Sequence, residues 1–383
     1  MNINASFRGE YSMPLFARNL IETPVDLPRR ELLTMMRLAR DLFHLSRLAG
    51  YRALIAPQIP AIAAFDPGHD AVMMGYDFHL GPNGPRLIEV NTNAGGGLLA
   101  YLAHRPKDRN SVTGIPLRLQ SKLLQSFAQE MQRHSGGGRL RPQRIAIVDE
   151  NPATQFLYPE MQAFQRLFQD WGVPAVIADP TELEEREGAL FHQGQALSLI
   201  YNRHCDFYLE SPAMAAIARA YAEGNICLTP NPFSYALLGD KRRMVLWSDA
   251  EALREFGLHE KMSQRILSGV PYSRLLVDLG AEAAWQQRKN LVFKPVTRFG
   301  SRGVYMGASI SRTRFNSLPL EHTLAQTLVP PSLTPSQNHP LKTDFRLFAY
   351  RDHILGIAAR LYQGQVTNMQ SEGSGFAPVR IIP

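Results

Sequence analysis

Apolar and polar positions alternate with a helical period in two stretches near the start of the chain. Residues 28–49 place apolar side chains at helical spacing with basic residues between them, and residues 117–133 repeat this pattern. Both stretches are predicted to be amphipathic helices, and the first is expected to cover a sheet. Residues 77–80 and 86–91 are short runs typical of strands, separated by Gly81-Pro-Asn-Gly84. This turn chemistry predicts a β-hairpin.

The middle of the chain follows a different pattern. Residues 144–149, 172–178 and 196–201 are apolar runs typical of buried strands, and residues 156–171 have the period of a helix. Strand, helix and strand at this spacing predict a small parallel α/β unit. It follows Ser135-Gly-Gly-Gly138, the clearest linker in the chain. No Gly-x-Gly-x-x-Gly follows its first strand, so a dinucleotide-binding fold is not expected.

The last part of the chain is predicted to be rich in strands. Its apolar runs are residues 290–295, 324–329, 343–350 and 353–360. Residues 332–339 are rich in proline and serine, which predicts a loop. Helices and strands are interleaved along the whole chain, so the predicted fold class is α/β, with α+β lobes around the parallel unit.

The composition is that of an ordinary globular protein, with 383 residues, 45% apolar and 20% charged. No run of about eighteen apolar residues is present, so no membrane span is expected. The start lacks the apolar core of a signal peptide, and Cys205 and Cys227 form no disulfide framework, so we expect a cytoplasmic protein. The net charge of +7 comes from basic residues spread along the chain, which disfavours a nucleic-acid-binding module. The excess of positive charge suits attraction of anionic ligands, and solubility alone is the alternative.

The predicted hairpin carries the first candidate chemistry. It returns Asp77 toward Glu89, and Glu89 and Asn91 face one side because side chains alternate along a strand. Two carboxylates and an amide oxygen are hard donors and too few to enclose Ca²⁺, so they predict Mg²⁺ completed by phosphate oxygens and water. Gly95-Gly-Gly97 follows, where bare backbone can approach an anion. The alternative is a set of solvated polar positions on a hairpin.

Two segments in the last part of the chain are suited to holding phosphate. Lys241 is predicted to lie on the first turns of a helix, and Lys294 ends an apolar strand. In the loop after Lys294, glycines allow backbone N–H groups to close over a phosphate chain, although the Gly-Lys-Ser/Thr of a Walker loop is missing. The alternatives are a solvated helix face for Lys241 and a glycine-rich hairpin turn for the loop. The candidate loop residues are Arg298, Gly300, Ser301 and Gly303.

The remaining strands offer groups for a nucleotide and for a transferred phosphate. The strand that ends at Val329, before two prolines, is either a backbone edge for adenine or an edge strand without a ligand. Asp344 and Arg346 share one strand face, and Arg360 ends the next strand. Arginines at two strand ends, followed by Asn368 and a glycine loop, suit a transferring γ-phosphoryl group.

Arg203 is the candidate substrate-binding residue of the parallel unit. It follows the strand of residues 196–201, and ligands of open α/β sheets bind at the carboxyl ends of strands. A guanidinium group at that place suits a substrate carboxylate. A structural salt bridge is the alternative.

Taken in order, these segments resemble the ATP-binding lobes of ATP-grasp enzymes. Eleven residues separate Asp77 from Glu89, and one residue separates Glu89 from Asn91. This spacing is similar to that of the magnesium-binding strand pair of the family. In ordinary members the magnesium-binding segment comes after the segment with the arginine, the asparagine and the glycines. In this chain the magnesium-binding segment stands near the start. The chain is therefore similar to the circularly permuted, glutathionylspermidine-synthetase-like branch. The other residues that match family positions are Lys294-Pro295, Gln326, Asp344, Arg346, Arg360 and Asn368.

This resemblance implies a circularly permuted ATP-grasp fold with an inserted small parallel α/β substrate domain. The implied domains are residues 1–134 with the magnesium segment, residues 139–230 as the substrate domain, and residues 231–383 with the ATP-binding lobes.

The resemblance also implies an activity, which is ATP-dependent ligation of a carboxylate to an amine through an acylphosphate. ATP and Mg²⁺ are the implied cofactors, and an amino acid, peptide or polyamine is the implied class of partner, with no nucleic acid or membrane. Lys241, Lys294, Gln326, Val329 and Asp344 would serve the nucleotide. Two other functions stay open: a phosphotransferase that uses the same nucleotide site, and a nucleotide-binding protein without turnover. The oligomeric state also stays open.

Overall fold

A computed structural model gives the structure of the protein and describes residues 20–21, 23–98, 117–297, 303–336, 339–367, 369, 371 and 373–383. The strands of these residues are β1 (Val25–Pro28), β2 (Met74–Gly81), β3 (Gly84–Asn91), β4 (Ile145–Val148), β5 (Ala175–Ala178), β6 (Leu183–Arg186), β7 (Ala189–His192), β8 (Gln195–Ala196), β9 (Leu199–Asn202), β10 (Cys227–Thr229), β11 (Ser273–Leu275), β12 (Leu291–Pro295), β13 (Tyr305–Met306), β14 (Thr323–Thr327), β15 (Ser332–Thr334), β16 (Leu341–Tyr350), β17 (His353–Tyr362), β18 (Gly375–Ala377) and β19 (Val379–Ile382).

The α-helices of the same residues are mostly short. They are α1 (Arg29–Ser46), α2 (Ala49–Ile55), α3 (Ala61–Ala64), α4 (Leu117–His134), α5 (Tyr158–Asp170), α6 (Ala215–Ala222), α7 (Pro232–Ser234), α8 (Arg243–Trp247), α9 (Ala250–Glu255), α10 (Glu260–Gly269), α11 (Leu276–Leu279), α12 (Ala281–Gln286) and α13 (Arg312–Asn316). Within the described ranges, none of the helices combines the length and apolar character that spanning a membrane requires.

The largest sheet joins strands from the two ends of the chain. Its order is β18-β17-β16-β2-β3, with β15 also paired to β16, and all pairs are antiparallel. The hairpin β2–β3 therefore extends a sheet whose other strands come from the last part of the chain. Arg346 lies directly opposite Asp77, although 269 positions separate them in sequence. The hairpin that carries Asp77 and Glu89 and the C-terminal strands thus belong to one sheet.

One face of this sheet is apolar and the other is charged. Tyr76 and Phe345 belong to the core beneath α1, so the predicted first helix does cover the sheet. Alternation along the strands places Asp77 and Arg346 on the opposite face. Farther along that face, Tyr350 belongs to a second core that includes α4 and α5. The charged part of the face is therefore bordered by packed apolar side chains.

A second, four-stranded antiparallel sheet has the order β11-β14-β12-β13. It brings Lys294 of β12 next to Leu324 of β14 in register. The prediction that β14 could be an edge strand is wrong, because β14 pairs on both sides. Backbone groups for a nucleotide base can therefore come only from the residues that follow Thr327.

The middle of the chain forms the predicted parallel unit. Its sheet has the order β10-β9-β4-β5 with all strands parallel, and α5 packs on β4 and β5. Between β5 and β9 the chain adds a small antiparallel sheet, β6-β7-β8, which was not predicted. Arg203 directly follows β9, as the sequence indicated.

Two local predictions are corrected. Residues 332–334, predicted as loop, form β15 and pair with β16. Lys241 does not lie on the first turns of a helix; it lies in a turn between a π-helical turn at Tyr235–Gly239 and α8. A π-helical turn has wider spacing than an α-helix, so residue spacing alone does not indicate it.

Candidate active site

Four charged side chains form a buried network across the middle of the large sheet. Asp77 lies opposite Arg346, and Asp344 lies opposite Arg360. Arg346 donates from Nε and Nη2 to the two oxygens of Asp77, both at 2.6 Å. Arg360 donates from Nε to Asp344 at 2.5 Å and from Nη2 to Asp77 at 2.9 Å. All four residues are at most 9% exposed, so this is a charge network in a low-dielectric setting.

The network decides which groups are ionised. Burial by itself would raise the pKa of Asp77, but the adjacent charges of Arg346 and Arg360 outweigh it and hold that pKa well below its usual range. Burial would lower the pKa of Arg360, and the charges of Asp344 and Asp77 instead raise it. Asp77 is therefore a carboxylate and Arg360 is a cation. Nη1 of Arg360 has no hydrogen bond to any of the residues described, so it is available to a ligand.

A β-bulge brings Glu89 to this network. The register of β2 and β3 shifts between Asp77 and Phe78, so that Asp77 opposes Glu89 while Phe78 opposes Leu87, and Ile88 is the extra residue. With regular pairing from the turn, Asp77 would oppose Ile88, and Glu89 would point to the other face. Asp77 and Glu89 thus lie together as predicted, but only because of the bulge.

The side chains at this point are of the types that bind Mg²⁺. Asn91 donates from Nδ2 to Asp77 at 3.1 Å and to Glu89 at 3.2 Å, so a neutral amide N–H donor already lies between the two carboxyl groups. Turning the amide by 180° would present its oxygen instead, and the two orientations have the same shape. Asp77 is largely committed to the arginines, which leaves Glu89 and Asn91 as the more available donors. No set of three His, Cys, Asp or Glu side chains suited to a metal occurs within the described ranges, so a cation here would need further oxygen donors.

Lys294 extends the site into the second sheet. Its Nζ donates to Gln326 Oε1 at 2.7 Å and to the carbonyl of Ile88, the bulge residue, at 3.0 Å. Burial lowers the pKa of Lys294 to about 8; the carboxylate of Glu89 opposes this shift, and the charge of Lys241 adds to it. Lys241 is therefore close enough to Lys294 for its charge to lower the pKa of Lys294. Gln326 holds the lysine with its side chain.

His79 belongs to the site, although sequence reasoning missed it. Its Nδ1 lies 2.6 Å from the carbonyl oxygen of Val329, just after β14. Burial lowers the pKa of His79, with further lowering by Lys294 and Arg360 against the opposite effect of Asp344. The ring is therefore neutral at neutral pH. The available signal was its position two residues after Asp77 on the same strand, which places both on one face.

Two backbone N–H groups of the glycine loop after Asn91 bind a carboxylate of the protein itself. The N–H groups of Gly96 and Leu98 donate to the carboxylate of Glu160, at 2.8 and 2.9 Å. Glu160 is 2% exposed and lies in the first turn of α5. The protein thus supplies its own carboxylate where the sequence predicted an anion, and this contact joins the loop to the parallel unit.

Arg203 also holds this loop. Its Nη1 donates to the carbonyls of Asn93 and Ala94 at 2.9 and 3.2 Å, and its Nη2 lies 4.0 Å from Glu160. Arg203 is 7% exposed. These contacts favour the structural alternative over a direct clamp on a substrate carboxylate. Arg346 contacts the same loop, because its Nη1 donates to the carbonyl of Gly95 at 3.2 Å.

Some predicted site residues have no described position. Arg298, Gly300, Ser301 and Asn368 lie outside the described residues. Gly303 lies in a turn with a positive φ of 75°, which favours glycine, just before β13.

Chemically, the arrangement brings together cationic side chains from both sheets. Arg346, Arg360 and Lys294 face a region bounded by Asp77 and Glu89. Fixed guanidinium and ammonium groups in a buried setting can stabilise negative charge that develops on a phosphoryl or acyl group. The described side chains of this region include no serine, threonine or cysteine placed as a nucleophile beside a histidine base.

Comparison with known proteins gives a likeness of fold only. No protein-family model and no curated protein matches the sequence. Among solved structures, the chain is similar to the protein named "Putative gamma-glutamylcysteine synthetase" from Methylobacillus flagellatus KT. The TM-score is 0.51 at 11% sequence identity, and the match covers 95% of this chain and 87% of that chain. At this identity the likeness supports an α/β architecture and leaves the activity to be argued from the site.

Gly96→Ala is expected to destabilise the protein more than Gly364→Ala. Both glycines have a positive φ, of 87° and 84°. A Cβ at Gly96 would lie 1.9 Å from Cζ of Phe376, whereas a Cβ at Gly364 would meet nothing within 4 Å. Gly364→Ala should cost about 1 kcal/mol from the backbone alone, and Gly96→Ala about 1–3 kcal/mol more from overpacking. Urea unfolding of the two variants measures the difference; equal losses would contradict the crowding at the loop.

Asp77→Asn is expected to lower the free energy of unfolding by about 3–5 kcal/mol, because two buried arginines lose their shared counter-ion. Asp26→Asn is the matched control: Asp26 pairs with Arg380 on the surface, and such a pair contributes about 0–1 kcal/mol. Chemical denaturation at pH 7 measures both. A loss at Asp77 no larger than that at Asp26 would show that the network is not essential to stability.

Proposed function

We propose that the protein is an ATP-dependent carboxylate–amine ligase built on a circularly permuted ATP-grasp fold. The observation that carries the proposal is the sheet shared by the two ends of the chain. It brings Asp77, Glu89 and Asn91 beside Arg346 and Arg360, which is the set that the family resemblance implies. The name of the structural neighbour, "Putative gamma-glutamylcysteine synthetase", agrees with a ligase. The division into residues 1–134, 139–230 and 231–383 is part of the same proposal.

In the proposed reaction the γ-phosphoryl group moves from ATP to an oxygen of the substrate carboxylate, and ADP leaves. The nitrogen of an amine then attacks the acyl carbon, and phosphate leaves. Arg360, with its Nη1 available, and Arg346 would stabilise charge on the transferred group and on the tetrahedral intermediate. Asp77 and Asp344 orient these arginines. Catalysis would rest on positioning and electrostatics.

The nucleotide would lie between the two sheets. Lys294 and Lys241 would hold phosphate oxygens, and the loop with Arg298, Gly300, Ser301 and Gly303 would cover them. Glu89 and Asn91, with Asp77 beside them, would hold Mg²⁺, and the ion would supply positive charge against the phosphates. Gln326 would fix Lys294, and Asn368 would act near the γ-phosphate. Arg203 would position the glycine loop beside Asn91.

The test of this function is a product assay with Mg²⁺ATP and pooled amino acids, peptides and polyamines, with and without hydroxylamine. Hydroxylamine converts an acylphosphate into a hydroxamate. ADP release that depends on a pool and gives a hydroxamate would support the ligase and identify the carboxylate. A phosphorylated product without hydroxamate would replace it with a phosphotransferase. ATP binding without turnover in any pool would favour a nucleotide-binding protein.

Glu89→Gln is expected to abolish acceptor-dependent ADP release while leaving the melting temperature within about 2 °C of the parent protein. The amide keeps the shape of the carboxyl group but removes a charged ligand for Mg²⁺. Glu282→Gln, which alters an exposed pair with Arg312, is the control. Unimpaired turnover by Glu89→Gln would remove the magnesium assignment.

The pH dependence should report Lys294. Its lowered pKa of about 8 means that the charge is lost at a lower pH than in an ordinary lysine. We therefore expect kcat/KM for ATP, which reports the free enzyme, to fall as pH rises through about 8. In Lys294→Arg the guanidinium stays charged, so the fall should move to higher pH. An unchanged profile in Lys294→Arg would assign the fall to another group.

A further inference from the structure

His79 joins the magnesium-bearing hairpin to the segment after β14. Its Nδ1 is 2.6 Å from the carbonyl oxygen of Val329, a normal hydrogen-bond distance. The ring is half-buried, and the charged groups that face it are Lys294, Asp344 and Arg360. His79 therefore lies between the segment proposed for the nucleotide base and the cations proposed for its phosphates.

The contact with Val329 determines which ring nitrogen carries the proton. A carbonyl oxygen can only accept a hydrogen bond, so Nδ1 must be the donor. In a neutral imidazole the other nitrogen, Nε2, is then an acceptor. Nε2 has no partner among the residues that the structure describes. The side chain thus presents a lone pair beside the proposed base site.

The backbone around Val329 has few groups left for a base. The N–H groups of Thr327 and Leu328 already donate to the carbonyls of Tyr272 and Asn290, each at 2.8 Å. The next two residues, Pro330 and Pro331, have no N–H group. The carbonyl of Val329 accepts from His79. The N–H group of Val329 itself has no hydrogen bond to any described residue, so a base at this place can be recognised by that group together with the side chain of His79.

We propose that Nε2 of His79 accepts a hydrogen bond from the exocyclic amino group of adenine and thereby selects ATP over nucleotides with a 6-oxo base. This inference rests on the proposed nucleotide site and adds its base specificity. A 6-oxo purine presents an oxygen to Nε2, so two acceptors face each other without a proton between them. Such a mismatch costs at least about tenfold in affinity.

Two substitutions separate the functions of the two ring nitrogens. In His79→Gln the amide reaches the place of Nε2 and can offer an oxygen there, but the contact with Val329 is lost. In His79→Asn the shorter amide reaches only the place of Nδ1, so the contact with Val329 can form and the acceptor is lost. His353→Asn, at an exposed position on the other end of the sheet, is the control.

The measurement is equilibrium binding of Mg²⁺ATP and Mg²⁺ITP by calorimetry at pH 8, with melting temperatures to confirm folding. ITP differs from ATP in carrying a 6-oxo group in place of the amino group. The parent protein, His353→Asn and His79→Gln should prefer ATP by about tenfold or more, and His79→Asn should bind both nucleotides within about threefold.

Three results would overturn the inference. Equal binding of ATP and ITP by the parent protein would remove base selection while leaving the proposed nucleotide site intact. If His79→Asn still prefers ATP over ITP, another group is responsible for the selection of the base. Binding of neither nucleotide by the folded parent protein would overturn the proposed function together with this inference.

Discussion

The candidate site depends on one buried carboxylate, that of Asp77. It accepts hydrogen bonds from Arg346, Arg360 and Asn91, which lie on three different strands. A buried guanidinium without such a counter-ion is costly, so the pairing stabilises the register of β2, β3, β16 and β17 together. Because these strands come from both ends of the chain, the same interaction that holds the site also closes the fold.

This network also explains how the site can be charged and ordered before a ligand arrives. The arginines are held by aspartates, and Lys294 is held by Gln326 and the carbonyl of Ile88. Polar groups that are already oriented need no rearrangement when negative charge develops near them. The carboxylates balance most of the positive charge, which lowers the free-energy cost of burying these charged side chains. Nη1 of Arg360 stays available.

The parallel unit reaches the site through the glycine loop. Glu160 accepts from the backbone of Gly96 and Leu98, and Arg203 donates to the carbonyls of Asn93 and Ala94. A loop with so many backbone contacts needs glycine, since a side chain at Gly96 would overlap Phe376. The loop begins directly after Asn91, so any shift of the parallel unit would be transmitted to the hairpin.

Local sequence signals are enough to predict the periodic elements and most of the charged groups. Periodicity predicted α1, α4, the parallel unit and the strands that carry Lys294, Asp344 and Arg346, because these signals are local. How these elements meet depends on long-range packing. The bulge at Ile88, which turns Glu89 toward Asp77, arises from strand pairing. The contact of His79 with Val329, and the use of the glycine loop by Glu160, join residues far apart in sequence. Such non-local contacts depend on packing, which no local spacing records.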